Sequence, residues 1–272
     1  MDVYGCHFEY AGISSRIYDL IIANVNTQRN ISLAGTTQSI SIFNKKEKKN
    51  YYVGDSYENS PLVFDMEVVT ERPLHQTEVR KVEKWLFYQK GYKKLFIDIA
   101  DDIDHETYSL IDGEEKRLYL NCRFINPEKL EYNGGIVGFK FTIECDTNMA
   151  YQEPVTITQT FVGTEVNKTV VVDVDTDTAD FTYPKVIIQT GTLGGNIQIV
   201  NQDDSSSRIT SFITVPPLSQ IIMHGKTNFI SGNYYEKFCH KNFIRLLDGE
   251  NTFSIDGNVT SISFEWQNMR YL

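Results

Sequence analysis

The chain has 272 residues, a net charge of −10, 41% hydrophobic and 23% charged residues. That length favours two domains, each able to bury a core, and with no run of about 18 apolar residues no helical membrane span is expected. The acidic balance argues against a surface that grips nucleic acid, because holding a duplex requires Lys and Arg to neutralise phosphates. The one dense basic run, KKEKK at 45–49, is short and diluted.

The N-terminus, MDVYGCHFEYAGISSRIYDL, has an acid at position 2 and neither a cationic nor an apolar leader region, so no signal peptide is expected. The runs RIYDLIIANV and TQSISIF within 3–43 alternate as strands do. Residues 44–60, NKKEKKNYYVGDSYENS, are polar, turn-rich and spotted with aromatics, the composition of a hairpin or loop arm. PLVFDMEVVTE at 61–71 alternates again as a strand.

One amphipathic helix is predicted at about 75–89. Val79, Val82, Leu86 and Gln89 follow one line at helical spacing with Trp85 beside it, and Pro73 and Gly91 punctuate the ends. KLFIDI returns to strand, DDIDHETY is a loop, and KRLYLNCRFI and IVGFKFTIEC are strands around the turn EYNGG. From about 150 the chain is rich in Thr, Val, Ile and Asn, with turn signals every eight to twelve residues, which predicts a β-sandwich. CDTNMAYQEP at 145–154 is the expected hinge.

No constellation in the sequence carries an enzyme. There is no nucleophile elbow, phosphate-binding loop or dinucleotide fingerprint. His7, His75, His105, His224 and His240 fall in no ligand or catalytic spacing. Asp101, Asp102 and Asp104 share one polar loop and are expected to be solvated. In VVVDVDTDTAD (170–180), Asp173, Asp175 and Asp177 have the spacing of a calcium loop, but Thr178 stands where that loop needs Gly and Pro184 where it needs Glu. The stretch reads instead as a strand burying Val170, Val172 and Val174, followed by a turn. Cys6, Cys122, Cys145 and Cys239 are dispersed without a CxxC pair, and are expected to be reduced structural thiols. For want of a leader, the sequons at Asn30, Asn167 and Asn258 are expected to stay unglycosylated. Neither cofactor nor metal is expected. Tyr51, Tyr52 and Tyr57 are candidates for contact with another subunit, or they fold back on their own domain. Tyr234 and Tyr235 could stack on sugar rings or serve as rim and core residues of the sandwich; Trp266 is expected to face a core.

The order of blocks is similar to the siphophage distal tail protein family. The resemblance runs through nearly the whole chain. It is carried by RPLHQTEVRKVEKWLFYQKGYKKLFIDIADD, by YPKVIIQ and GNIQIVNQ at 183–202, and by FIRLLDGENTFSIDGNVTSISFEWQNMRYL at 243–272. It implies a mainly β protein. Residues 1–149 would be a ring-forming, tail-tube-like domain with one helix and a protruding arm, and 150–272 a peripheral galectin-like sandwich. It further implies a non-enzymatic virion protein at the tail tip, made in the host cytoplasm. As a homo-hexamer it would join the tail tube protein to a tail-associated tip protein and to baseplate or receptor-binding proteins. DNA would pass through without specific binding. The alternative from the residues is a lectin-like protein engaging cell-wall polysaccharide; a wall hydrolase would need a signature the chain lacks.

Overall fold

Alternation in VFDMEVVTERPL buries Met66, Val68 and Thr70 on one side of a long strand, and the same period-two logic builds most of the protein. The computed structural model describes residues 7–26, 36–44, 50–59, 61–97, 110–111, 114–115, 118–162, 168–178, 181–206, 208–239 and 241–270. It divides into two compact units, with the boundary between Tyr151 and Gln152.

The first unit contains β1 (Phe8–Tyr10), β2 (Ile13–Ser14), β3 (Ile21–Asn26), β4 (Thr36–Asn44), β5 (Asn50–Asn59), β6 (Val63–Leu74), α1 (Gln76–Phe87), β7 (Lys93–Ile97), β8 (Leu110–Ile111), β9 (Glu114–Glu115), β10 (Leu120–Tyr132), β11 (Gly135–Cys145) and β12 (Ala150–Tyr151). Seven of these form one antiparallel sheet in the order β2-β1-β7-β10-β11-β6-β3. Asn133 and Gly134, at φ 49° and 79°, turn β10 into β11, the Asn-Gly hairpin turn that demands left-handed backbone at both positions. Gly138 is required by close approach, since an added Cβ would lie 2.1 Å from the Val68 carbonyl oxygen.

Helix α1 is the one α-helix among the described residues and is shorter than the 75–89 expected from periodicity. His75 is its N-cap: the His75 backbone N–H donates to Glu78 Oε2 at 2.8 Å, and Arg72 grips both Glu78 oxygens at 2.8 and 2.9 Å. Gln89 lies beyond the helix end, where its Nε2 donates to the Trp85 carbonyl. Pro73 belongs to β6, not to the first helical turn. Trp85 is central to the packing. It stacks on Phe8 and Tyr18 at 5.6 and 5.5 Å and donates Nε1–H to the Tyr10 carbonyl at 2.8 Å. Below it, Tyr10, Phe124 and Phe141 stack in series at 4.0 and 4.6 Å.

The second unit contains β13 (Val155–Thr160), β14 (Lys168–Val174), β15 (Lys185–Thr190), β16 (Gly195–Asn201), β17 (Ile209–Val215), β18 (Gln220–His224), β19 (Phe229–Ile230), β20 (Phe238–Cys239), β21 (Gly249–Asp256), β22 (Val259–Trp266) and β23 (Met269–Arg270). Two five-stranded antiparallel sheets, β13-β22-β15-β18-β19 and β14-β21-β16-β17-β20, enclose one hydrophobic core. Val170, Val172 and Val174 point into it while Thr169, Val171 and Asp173 face out, as the alternation requires. Trp266 is buried, with its Nε1–H donated to Asn268 Oδ1 at 2.9 Å.

The terminal block LLDGENTF owes its pattern to Asn251, which has no exposed surface. Its Oδ1 accepts from the Leu247 N–H at 2.8 Å and from Asn201 Nδ2 at 2.9 Å; its Nδ2 donates to the Leu247 and Gly249 carbonyls. One buried side chain thereby satisfies backbone groups of the partly buried turn that leads into β21. Nearby, Arg245 forms two hydrogen bonds to Asp204, 2.7 and 2.9 Å, and lies 3.5 Å over the Phe181 ring. Ser206 donates to the same carboxylate. Arg245 first and then burial and Ser206 act on Asp204, with the net result that its pKa falls well below the usual carboxylate range.

Candidate interaction surfaces

The hairpin of β4 and β5 begins before the segment 44–60 read from composition. β4 and β5 pair antiparallel from Thr36–Asn59 to Asn44–Asn50, so TQSISIF, expected as a strand, is the first strand of this hairpin. Alternating Ser and Ile suits any half-covered strand, and only pairing tells which strand it joins. Tyr51, Tyr52 and Tyr57 sit in β5 opposite Phe43, Ile42 and Gln38, with a bulge between Ser41 and Ile42. Their side chains, and the KKEKK tip at 45–49, lie outside the described residues. β4 and β5 form a sheet of two strands. Such a hairpin is marginal in water by itself.

The aspartates of VVVDVDTDTAD have a cation already, supplied by the protein. Arg270 bridges them, Nη1 lying 3.0 Å from Asp177 Oδ1 and Nη2 in contact with Asp175 Oδ2. Thr176 N–H donates to Asp248 Oδ1, and Asp177 N–H to the Met269 carbonyl. The segment expected to be a turn is therefore tied to distant residues at Asp175, Thr176 and Asp177. Asp173 stands apart on the outer face of β14. No cluster of three or more His, Cys, Asp or Glu fit for a metal occurs among the described residues.

The remaining candidates do not converge. His7 Nδ1 lies 3.3 Å from Ser15 Oγ and 3.2 Å from the Leu20 carbonyl, His75 caps α1, and His224 ends β18. Asp101, Asp102, Asp104, His105 and His240 lie outside the described residues, as do Cys6, Asn30 and Asn167. Tyr234 packs partly against the sandwich core, and Tyr235 is half exposed beneath the Lys241 ammonium, 3.9 Å from its ring centroid. Across the outer face of β13, β22, β15 and β18 run neutral rows such as Thr158, Ser263, Ile187 and Ile222, with Lys185 paired to Glu265 at 2.7 Å. With Trp266 in the core, the tryptophan platform of a sugar site is missing from this unit.

Two features escaped the sequence reading. Arg270 gave no local signal, being more than ninety positions from its partners. Cys122 and Cys145, dispersed in the chain, are direct neighbours across β10 and β11.

These features define a class: a two-unit, mainly β scaffold with a two-stranded hairpin beside the seven-stranded sheet of the first unit and a two-sheet sandwich in the second. Residues 3–147 match the family described as phage tail protein N-terminal domain, and the chain belongs to that family. It is a phage tail protein, a component of the virion. Its fold is similar to that of the Dit protein of phage SPP1, a crystal structure described as a paradigm of the hub adsorption apparatus in phages infecting Gram-positive hosts. The TM-score is 0.62 at 9% identity, covering 97% of this chain and 99% of that one. Two structures of the phage P2 baseplate in its activated conformation, with calcium and with strontium, each match at TM-score 0.50 and 10% identity, over 97% of this chain and 98% of theirs. No curated protein sequence matches the chain. The tail role and the hub-like, mainly β fold inferred from block order agree with these findings.

Proposed function

We propose that the protein is the hub of a siphophage tail tip, a homo-hexameric ring joining the tail tube to tip or baseplate proteins and to receptor-binding proteins. The observation that carries this reading is the end-to-end match to the SPP1 hub protein, in which both units align in order over nearly the full length of both chains. The first unit builds the ring and the second, a galectin-like sandwich, lies on its periphery. A ring made by a head-to-tail interface closes only at one rotation angle, and an arm of two strands reaching a neighbour, with Tyr51, Tyr52 and Tyr57 in the contact, can fix that angle. The protein acts without catalysis and is made in the host cytoplasm before joining the particle.

A channel for DNA must avoid holding it. Counterion release would make a Lys- and Arg-lined wall adhesive, whereas a net charge of −10 per chain keeps the duplex free if the acids face the lumen. Mass measurement and negative-stain imaging of the purified chain test the proposal. The expected result is a six-membered ring with a central hole. A chain that stays monomeric even with its tail tube and tip proteins present would overturn it, and a basic lumen would overturn the account of DNA passage.

A further inference from the structure

We propose that Cys122 and Cys145 are a folding-gated dithiol: they can close as a disulfide in the open chain, and they are shielded in either redox state once β10 and β11 have paired. The two residues are register partners. Asp146 N–H donates to the Asn121 carbonyl at 2.9 Å, which makes Asn121 and Asp146 a hydrogen-bonded pair. Cys145 N–H turns the other way, to the Leu62 carbonyl at 2.9 Å. Cys122 and Cys145 therefore form the narrow, non-hydrogen-bonded kind of pair. In such a pair the Cα atoms stand about 4.5 Å apart and side chains meet most closely, within the span a disulfide bridges.

Both thiols are free and sealed in the core of the first unit, 0% and 1% exposed. Burial, and then the Cys145 thiol and Asp146, drive the Cys122 pKa far above that of an ordinary thiol. Disulfide exchange needs a thiolate and an approach path for the oxidant; the folded sheet disfavours the thiolate of Cys122 and closes the path to both sulfurs. Neither restriction holds before the strands pair.

With a small-molecule disulfide such as oxidised glutathione as oxidant, one cysteine thiolate of the open chain attacks a glutathione sulfur and expels the first glutathione thiolate. The second cysteine thiolate then attacks the protein sulfur of the mixed disulfide and expels the other. Two protein thiols become one disulfide, and their two electrons and two protons leave on two molecules of glutathione. This pair plays no part in the hub reading and stands or falls separately from it.

The test uses the full-length chain carrying Cys6→Ser and Cys239→Ser, so that only the pair remains, with wild type followed in parallel by peptide mapping. Folded protein held in excess oxidised glutathione should keep its intact mass. The same protein unfolded and refolded in that buffer should lose the mass of two hydrogens and melt about 5 °C higher. Dithiothreitol should reverse the change only after unfolding. Oxidation of the folded chain as fast as the unfolded one would overturn the gating. Refolded protein that stays unmodified, or carries glutathione on both cysteines, would overturn the pairing.

Discussion

Arg270 Nη1 lies 3.0 Å from Asp177 Oδ1, joining the end of the chain to a segment more than ninety residues earlier. The same guanidinium reaches Asp175, so the acidic run that imitates a calcium loop is partly neutralised from within the protein. Both carboxylates are partly open to solvent, which limits the strength of the pair. Arg270→Leu is expected to lower stability by about 1 kcal/mol in denaturant unfolding. Wild-type melting should be indifferent to calcium; a calcium-dependent rise would mean that the aspartates hold a metal in place of the arginine.

Asn251→Ala removes the side chain that satisfies the Leu247 N–H and the Leu247 and Gly249 carbonyls. Leaving these part-buried backbone groups and the buried Asn201 amide without their partner should cost about 2 kcal/mol. The midpoint of urea unfolding should fall with the slope unchanged. A loss within experimental error would show that water takes over the side chain's role.

Asp204→Asn keeps the size of the side chain but leaves Arg245 facing a neutral amide where it now has two charged hydrogen bonds. Breaking one side of a buried pair is expected to cost about 3 kcal/mol. The double change Asp204→Leu with Arg245→Met should recover much of that loss, because an apolar pair leaves no charge stranded. Unfolding curves of the single and double variants decide the point.

Glu78 has its pKa lowered to about 2, first by the Arg72 guanidinium and then by the His75 backbone N–H. An unfolded glutamate titrates at about 4.3. The stability it contributes is therefore complete above about pH 5 and disappears as pH falls through the folded value. Glu78→Gln should melt below wild type at pH 7, and the two proteins should converge as the pH approaches about 2. A difference that stays constant with pH would assign the effect to the cap geometry alone.

Deletion of residues 36–59, bridged by a short Gly-Ser link, removes the whole hairpin without cutting the seven-stranded sheet. The shortened chain is expected to fold, by circular dichroism, and to run as a monomer in light scattering. Hexamers of the deletion variant would remove the arm from ring closure. Deleting only 44–60 would strand β4 without its partner, and is the poorer test.

Much of the fold was legible because it rests on local patterns. The helix announced itself through Val79, Val82 and Leu86, the β10–β11 hairpin through Asn133 and Gly134, and the sandwich through regular turn signals. The helix end was misplaced by two residues because Gln89 continues the spacing while bonding back to Trp85 from outside the helix. The partner of TQSISIF was not legible, because it has strand character whichever sheet it joins.

The sequence by itself determined the class of fold, the helix built on Val79, Val82 and Leu86, the faces of strands such as Val170–Val174, and the lack of catalytic motifs. Each follows from periodicity or spacing within a few residues, where backbone geometry alone decides which side chains share a face. Only the tertiary structure decided that Arg270 answers Asp175 and Asp177, that Asn251 closes its own turn, that β4 pairs with β5, and that Cys122 meets Cys145. Those are choices of partner between distant segments. No local pattern encodes them, because they are fixed by strand register and by the need to satisfy each buried charge and polar group.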